Sequence, residues 1–339
     1  MTNAPSASRI KEIGRILLFL SLGIAVVWIF WIRMNAEDKL AFGKALKEAS
    51  YGWILLSFGM GLLSHYIRAW RWRELLEVFS FKPKMYNLFF AVMNMYFFNM
   101  LVPRLGEITR CGLLRQYEQV PMEKGLGSVV AERAVDMLML LGIMGLTALL
   151  QWQHFGTIIA QLQAKGGGAE DASGPSYTKY FILGFFLLLF VVGFLLRKHP
   201  KAQPILGKIK SLALGFWEGL RAVTKLRRPG LFILQTLLIW GLYYGMSWVC
   251  FLSMPDVPAP WLSPLTIMAA GSIAIIVVPG GIGAFPVIVA AVLGLPHLGA
   301  VPDGEGLALG WIIWGAQTSV VLVAGALSLA LVPLFNRKK

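Results

Sequence analysis

Charge and cysteine are both scarce in this chain. Only 14% of its 339 residues are charged and 57% are apolar, which excludes an ordinary soluble domain of this size and fits a polytopic membrane protein. Two cysteines, Cys111 and Cys250, lie in or beside apolar segments and are too few for a disulfide framework. The four histidines (His65, His154, His199, His297) are scattered and lack metal-ligand spacing. P-loop, nucleophile-elbow and two-histidine helix patterns are absent. No enzyme activity, cofactor or metal is therefore expected. No stretch is long and polar enough to fold as a separate soluble domain.

Basic residues are what the chain does have. Lys and Arg number 31 against 17 Asp and Glu, a formal net charge of +14. They sit in short loops between apolar runs, the distribution of the positive-inside rule rather than of a nucleic-acid surface. Membrane lipids, anionic or lipid-linked, are the expected partners; nucleic acid is not, and a homo-oligomer is compatible with the chain.

The apolar runs are 16–32, 51–67, 85–102, 134–152, 180–196, 231–254, 264–295 and 307–334. A crossing helix needs about 20 apolar residues for a core of about 30 Å. The first run follows Arg9, Lys11 and Arg15. It exceeds a signal-peptide core and has no A-x-A-like site after Arg33, so it reads as a retained helix. Five Lys or Arg fall in 68–84, five in 104–133 and nine in 197–228; 153–178 holds only Lys165, and 229–336 holds none. The three basic loops and both termini are thus expected in the cytoplasm, with the chain multi-pass in a bacterial inner membrane.

Two segments break apolar runs alike: VPRLGEITR at 102–110 and VPGGIGAFP at 278–286. Proline removes a backbone donor and glycine weakens helix. Broken backbone at membrane depth survives only where protein or a watery cavity satisfies it. The candidate break residues are Pro103 and Gly106 in the first, and Pro279, Gly280, Gly281 and Gly283 in the second. Basic loops flank the first segment, and loops without Lys or Arg flank the second. They are therefore expected as re-entrant hairpins entering from the cytoplasm and from outside. The fold expected is an all-α polytopic membrane protein of about six spanning helices plus two re-entrant helical hairpins. Its inverted-topology repeats would be 51–152 and 231–334 within one domain covering 1–339, a plan many transporters share. Between them, 203–225 has apolar and basic faces and reads as an amphipathic interfacial linker.

Charges near the first break need a purpose. Arg104, Glu107, Arg110, Glu132, Arg133 and Asp136 form a mixed cluster in or beside the membrane. It reads either as ion pairs that fix the hairpin or as a headgroup site, arginine being suited to holding phosphate. Arg68, Arg71 and Arg73, interleaved with Trp70 and Trp72, read as an interfacial anchor.

In order, RAWRWR (68–73), NMLVPRLGEITR (99–110), VVAERAVD (129–136) and VPGGIGAF (278–285) resemble the lysylphosphatidylglycerol synthase transmembrane-region family, also called flippase-like domain proteins. The resemblance covers nearly the whole chain. It implies an inner-membrane protein that moves lipids or lipid-linked molecules between leaflets. Bifunctional members add a soluble aminoacyl-transferase domain, which is expected to be lacking here, so no synthase activity is carried over. Members often have an acidic residue shortly after P-G-G-x-G, where this chain has Phe285-Pro286, so no role for that carboxylate is carried over either. The function expected is a flippase-like lipid transporter whose charged cytoplasmic hairpin recognises the headgroup. A non-transporting adaptor or regulator, and a secondary transporter of a small solute or ion, stay open as alternatives.

Overall fold

The computed structural model describes residues 28–29, 31–32, 35–102, 104–154, 221, 224 and 226–336. The expected spans at 180–196 and, for the most part, 16–32, the linker at 203–225 and Pro103 lie outside the described residues. Among the described residues regular structure is helical throughout: α1 (Ala36–Glu48), α2 (Tyr51–Glu77), α3 (Met85–Leu101), α4 (Leu105–Glu118), α5 (Met122–Leu150), α6 (Pro229–Phe251), α7 (Leu262–Val277), α8 (Ala284–Leu293) and α9 (Asp303–Phe335). Short 3-10 turns occupy Trp152–His154, Pro279–Gly281 and Pro296–Leu298.

Among these, α5, α6 and α9 are long and apolar enough to cross a bilayer. They carry exposed apolar side chains along their length, such as Leu138, Leu141 and Leu149 on α5, Leu234 and Leu238 on α6, and Val323 and Leu327 on α9. Such a surface is unstable in water and suits lipid. Helix α2 has 27 residues, enough length at 1.5 Å per residue, but its second half is polar. It runs on through the basic stretch to Glu77, so Arg68–Arg73 is helix rather than loop, a correction to the loop assignment. Likewise α5 begins at Met122, which puts Glu132, Arg133 and Asp136 well inside a helix.

Packing follows from these faces. α2 lies along α6, α3 on α4 and α7 on α8, while α9 touches α1, α2, α3 and α8. One apolar core surrounds α7, α8 and α9 with Ile267, Phe285, Val289, Leu309 and Ile313. A second surrounds α2, α3 and α4 with Trp72, Leu75, Leu88 and Leu114. Met93, Val320 and Ala324 form a smaller cluster where α3 meets α9. A reciprocal amide pair between Asn87 and Asn336 (2.9 and 2.7 Å) ties the end of α9 to the start of α3, and Asn87 also donates to Glu118 at 2.6 Å.

The two breaks share the backbone of their first and third residues. Val102 and Val278 are extended, at φ −135°, ψ 115° and φ −116°, ψ 111°. Two residues on, Arg104 and Gly280 are left-handed, at φ 70°, ψ −4° and φ 72°, ψ −1°. Leu105 N–H then donates to the Val102 carbonyl (3.2 Å) and Gly281 N–H to the Val278 carbonyl (2.7 Å). That is the pattern of a type II turn, whose third residue needs positive φ. Gly280 adopts it without strain; Arg104 carries a Cβ there, at a cost of roughly 1–2 kcal/mol.

After the first turn α4 folds back tightly on α3. A Cβ on Gly106 would run into the Met95 carbonyl and the Asn99 side chain, so only glycine allows this approach. Gly106→Ala is expected to destabilise the protein by about 1–3 kcal/mol through overpacking. Gly112→Ala on the same helix, where a Cβ meets nothing within 4 Å, is expected to be neutral or stabilising. Thermal melting of the two variants in detergent checks this pair.

Candidate functional site

Arg68, Arg71 and Trp72 fall three and four residues apart on α2 and share a face, which turns inward. Arg68 and Arg71 are 3% and 0% exposed, whereas Trp70, on another face, is 40% exposed. The interfacial-anchor reading therefore fails for Arg68, Arg71 and Trp72. Across from them, α5 offers Glu132 and Asp136, four apart and also on one face. Arg68 Nη1 donates to Glu132 Oε1 at 2.8 Å and to Asp136 Oδ2 at 2.6 Å. Arg71 Nη2 donates to Asp136 Oδ1 at 2.7 Å, and its Nη1 to the Thr236 hydroxyl of α6 at 3.1 Å. From α4, Arg110 places Nη1 3.0 Å from Glu132 Oε2 and stacks its guanidinium 4.4 Å from the centre of the Trp72 ring. Trp72 in turn donates its indole N–H to Ser128 at 2.8 Å.

This is a buried five-member ionic hub joining α2, α4 and α5. Three guanidiniums face two carboxylates, which leaves one positive charge. Burying charges is costly, and removing one partner strands the others, typically at about 3–5 kcal/mol. Of the residues singled out in the sequence, Arg110, Glu132 and Asp136 sit here. Arg68 and Arg71 were not assigned to the cluster, although the three-and-four spacing of 68, 71 and 72 is a helix-face signal.

Glu107 and Arg133 form a separate, shallower pair at 3.1 Å. Glu107 Oε1 also accepts from Asn99 Nδ2 at 3.2 Å, while Asn99 Oδ1 accepts from Gly106 N–H at 2.8 Å. Asn99 thereby satisfies one of the free N–H groups of the first turn of α4, and Glu107 lies where the helix dipole favours an acid. Arg104 is exposed at the turn and stands apart from both ionic groups.

Glu107 and Arg133 line a cavity of about 460 Å³ at the middle of the fold. All of α2 through α9 contribute to its wall. Asn99 and Glu107 come from one broken segment and Gly280 and Phe285 from the other. The Pro279–Gly281 turn also touches α3. Trp314 of α9, another wall residue, donates its indole N–H to the Gly280 carbonyl at 2.8 Å. Arg68 donates to the hydroxyl of the wall residue Tyr243 at 3.2 Å, so the hub lies directly behind the cavity.

A third group joins the end of α5 to the second broken segment. Gln151 Nε2 donates to Thr266 at 2.6 Å, and its Oε1 accepts from His297 Nε2 at 3.2 Å. The His154 and His297 rings stack with centroids 4.0 Å apart. Among the described residues no group of three or more His, Cys, Asp or Glu could hold a metal ion.

Long apolar helices bearing lipid-suited surfaces around a central cavity, whose wall is mostly apolar with a few polar groups, define a multi-pass helical membrane protein. The chain belongs to the lysylphosphatidylglycerol synthase TM region family, whose sequence pattern matches residues 18–325. It is also similar to a UPF0104 membrane protein of Methanothermobacter thermautotrophicus, 29% identical over 151 residues, a match covering 42% of this chain and 42% of that protein. No solved structure matches.

Two outcomes check the geometry. Glu132→Ala, which leaves three buried guanidiniums facing one carboxylate, is expected to destabilise by about 3–5 kcal/mol. Arg133→Ala, at a pair whose arginine is 40% exposed, should lose about 1 kcal/mol or less. Denaturant titration in micelles measures both. At the histidine pair, burial and then the neighbouring His154 hold the His297 imidazole below its ordinary pKa. The unfolded chain then takes up that proton first as pH falls, so stability is full above about pH 6.5 and declines below it. Melting temperature is expected to drop on acidification, and to drop less in His297→Gln.

Proposed function

We propose that the protein carries a lipid or lipid-linked molecule between the leaflets of a bacterial inner membrane. The observation that supports this most is the cavity bounded by both broken segments, a largely apolar space into which the Glu107–Arg133 pair faces, with a matching Val-Pro turn at each. In this reading α3–α4 and α7–α8 are re-entrant hairpins entering from the cytoplasm and from outside. They belong to inverted repeats in which α2 and α5 correspond to α6 and α9. Discontinuous helices paired in this way hold the substrate sites of many transporters at the bilayer midplane.

The charged residues then divide by burial. Glu107 and Arg133 face the cavity and meet the headgroup, and Arg104 approaches it from the turn. Arg110, Glu132 and Asp136, with Arg68 and Arg71, act as the brace on which the first hairpin is mounted. The acyl chains stay in lipid while the headgroup passes. With no nucleotide motif in the chain, movement is driven by a gradient or by the membrane potential, or is simple equilibration. Catalytic chemistry has no part in it.

Purified protein in liposomes, supplied with headgroup-varied fluorescent lipids and a membrane-impermeant quencher, tests the reading. At least one lipid is expected to change leaflet faster than in empty liposomes, and Glu107→Ala and Arg133→Ala to slow it with only a small drop in melting temperature. If no lipid exceeds the empty-liposome rate, the reading fails, and uptake of small solutes becomes the function to measure.

A further inference from the structure

The cavity wall is specific about what it can hold. Its charged pair is already matched, since Glu107 holds Arg133 at 3.1 Å. Around that pair most of the wall is apolar or aromatic, with Met246, Ile267, Trp240 and Trp314, and a smaller part is uncharged polar, with Asn99 and Gln317. Aromatic faces and edges take up apolar ring surface, while amides and hydroxyls give and accept hydrogen bonds.

Three wall residues on three helices each hold a buried polar atom without a hydrogen-bond partner: His65 Nδ1 on α2, Glu107 Oε2 on α4 and Trp240 Nε1 on α6. Leaving such an atom unmatched costs about 1–3 kcal/mol. The three differ in what they need. Glu107 Oε2 only accepts and Trp240 N–H only donates, while the imidazole nitrogen does either by tautomer. An ammonium group donates to Glu107 but gives the Trp240 N–H no acceptor. A fully ionised phosphate accepts from Trp240 but offers Glu107 nothing. A set of hydroxyls serves all three.

We propose that the cavity is a binding site for a polyhydroxyl lipid headgroup, a sugar or cyclitol ring. The ring packs against Trp240 and Trp314, and its hydroxyls reach Glu107, His65 and Trp240 as those side chains turn out from the wall. The volume of about 460 Å³ lies within the usual range for small-molecule pockets, about 300–1,000 Å³. It admits such a ring and leaves the acyl tails outside. This assignment rests on the translocation reading for its lipid, and the surplus positive charge behind Tyr243 is compatible with a phosphate link. A phosphate-linked and a directly glycosylated lipid share the headgroup chemistry, and the test separates them.

The protein is placed in phosphatidylcholine nanodiscs and titrated with short-chain glucosyl-diacylglycerol, phosphatidylinositol, phosphatidylethanolamine and phosphatidic acid, with binding read by native mass spectrometry. Glucosyl-diacylglycerol or phosphatidylinositol, or both, is expected to bind about tenfold or more tightly than the other two, the scale of one hydrogen bond to a charged group. Preference between the two reports whether phosphate contributes. Trp240→Phe, which keeps the ring and removes the N–H, should weaken binding of the hydroxyl-bearing lipids severalfold, the scale of one neutral hydrogen bond, without altering the weak binding of the others. Equal binding of all four lipids, or tightest binding of the phosphatidic acid or the ethanolamine lipid, overturns the assignment. Leaflet exchange is measured on the same preparations. Exchange without hydroxyl preference leaves translocation standing and removes this site, while selective binding without exchange does the reverse.

Discussion

A backbone broken between apolar helices must have its freed N–H and C=O groups satisfied from within the protein, and this constraint organises the molecule. At the first break, Val102 N–H returns to the Phe98 carbonyl, Leu105 N–H closes the turn on Val102, and the Asn99 side chain takes Gly106 N–H. At the second, Val278 N–H returns to Ala274, Gly281 N–H closes on Val278, and the Trp314 indole takes the Gly280 carbonyl. The side chains that supply this help, Asn99 and Trp314, also line the cavity. Support of the breaks and construction of the cavity are thus one piece of chemistry.

The ionic hub answers the related problem of holding a charged helix among apolar ones. Helix α4 carries Glu107, Arg110, Arg115 and Glu118, charges that would each cost roughly 2.5–3.5 kcal/mol against lipid near the bilayer centre. Arg110 is taken into the hub, Glu107 pairs with Arg133 at the cavity, Glu118 meets Asn87 near the end of α9, and Arg115 is exposed at the far end. Gly106 brings α4 close enough to α3 for Asn99 to reach it. The strained turn at Arg104 and the unstrained one at Gly280 then mark the difference between the two segments: one edge of the cavity is charged, the other neutral.

Much of this plan was legible in the residues. Proline and glycine interrupting apolar runs located both breaks to the residue, because proline removes a backbone donor and the glycine that follows it weakens helix further. The shared face of Glu132 and Asp136 was legible from their four-residue spacing as well. The role of RAWRWR was not. Alternating arginine and tryptophan beside an apolar run has the composition of an interfacial anchor, and composition does not reveal that α5 lays two carboxylates against residues 68 and 71. Extension of α2 to Glu77 and of α5 back to Met122 escaped notice for the same reason, since charge ended the apolar runs before the helices themselves ended. The cavity is invisible in sequence altogether, because its wall draws residues from eight helices.

Opposed entry of the two broken segments is the claim on which the transport reading stands, and side-specific labelling tests it most directly. Single cysteines replace Arg115 on α4 and Trp261 just before α7, both exposed, with Cys111 and Cys250 changed to serine. An impermeant maleimide is then applied to intact cells and to inverted vesicles. Opposed hairpins predict that Arg115→Cys reacts only from the cytoplasmic face and Trp261→Cys only from the outer face. Reaction of both from the same face would contradict the architecture.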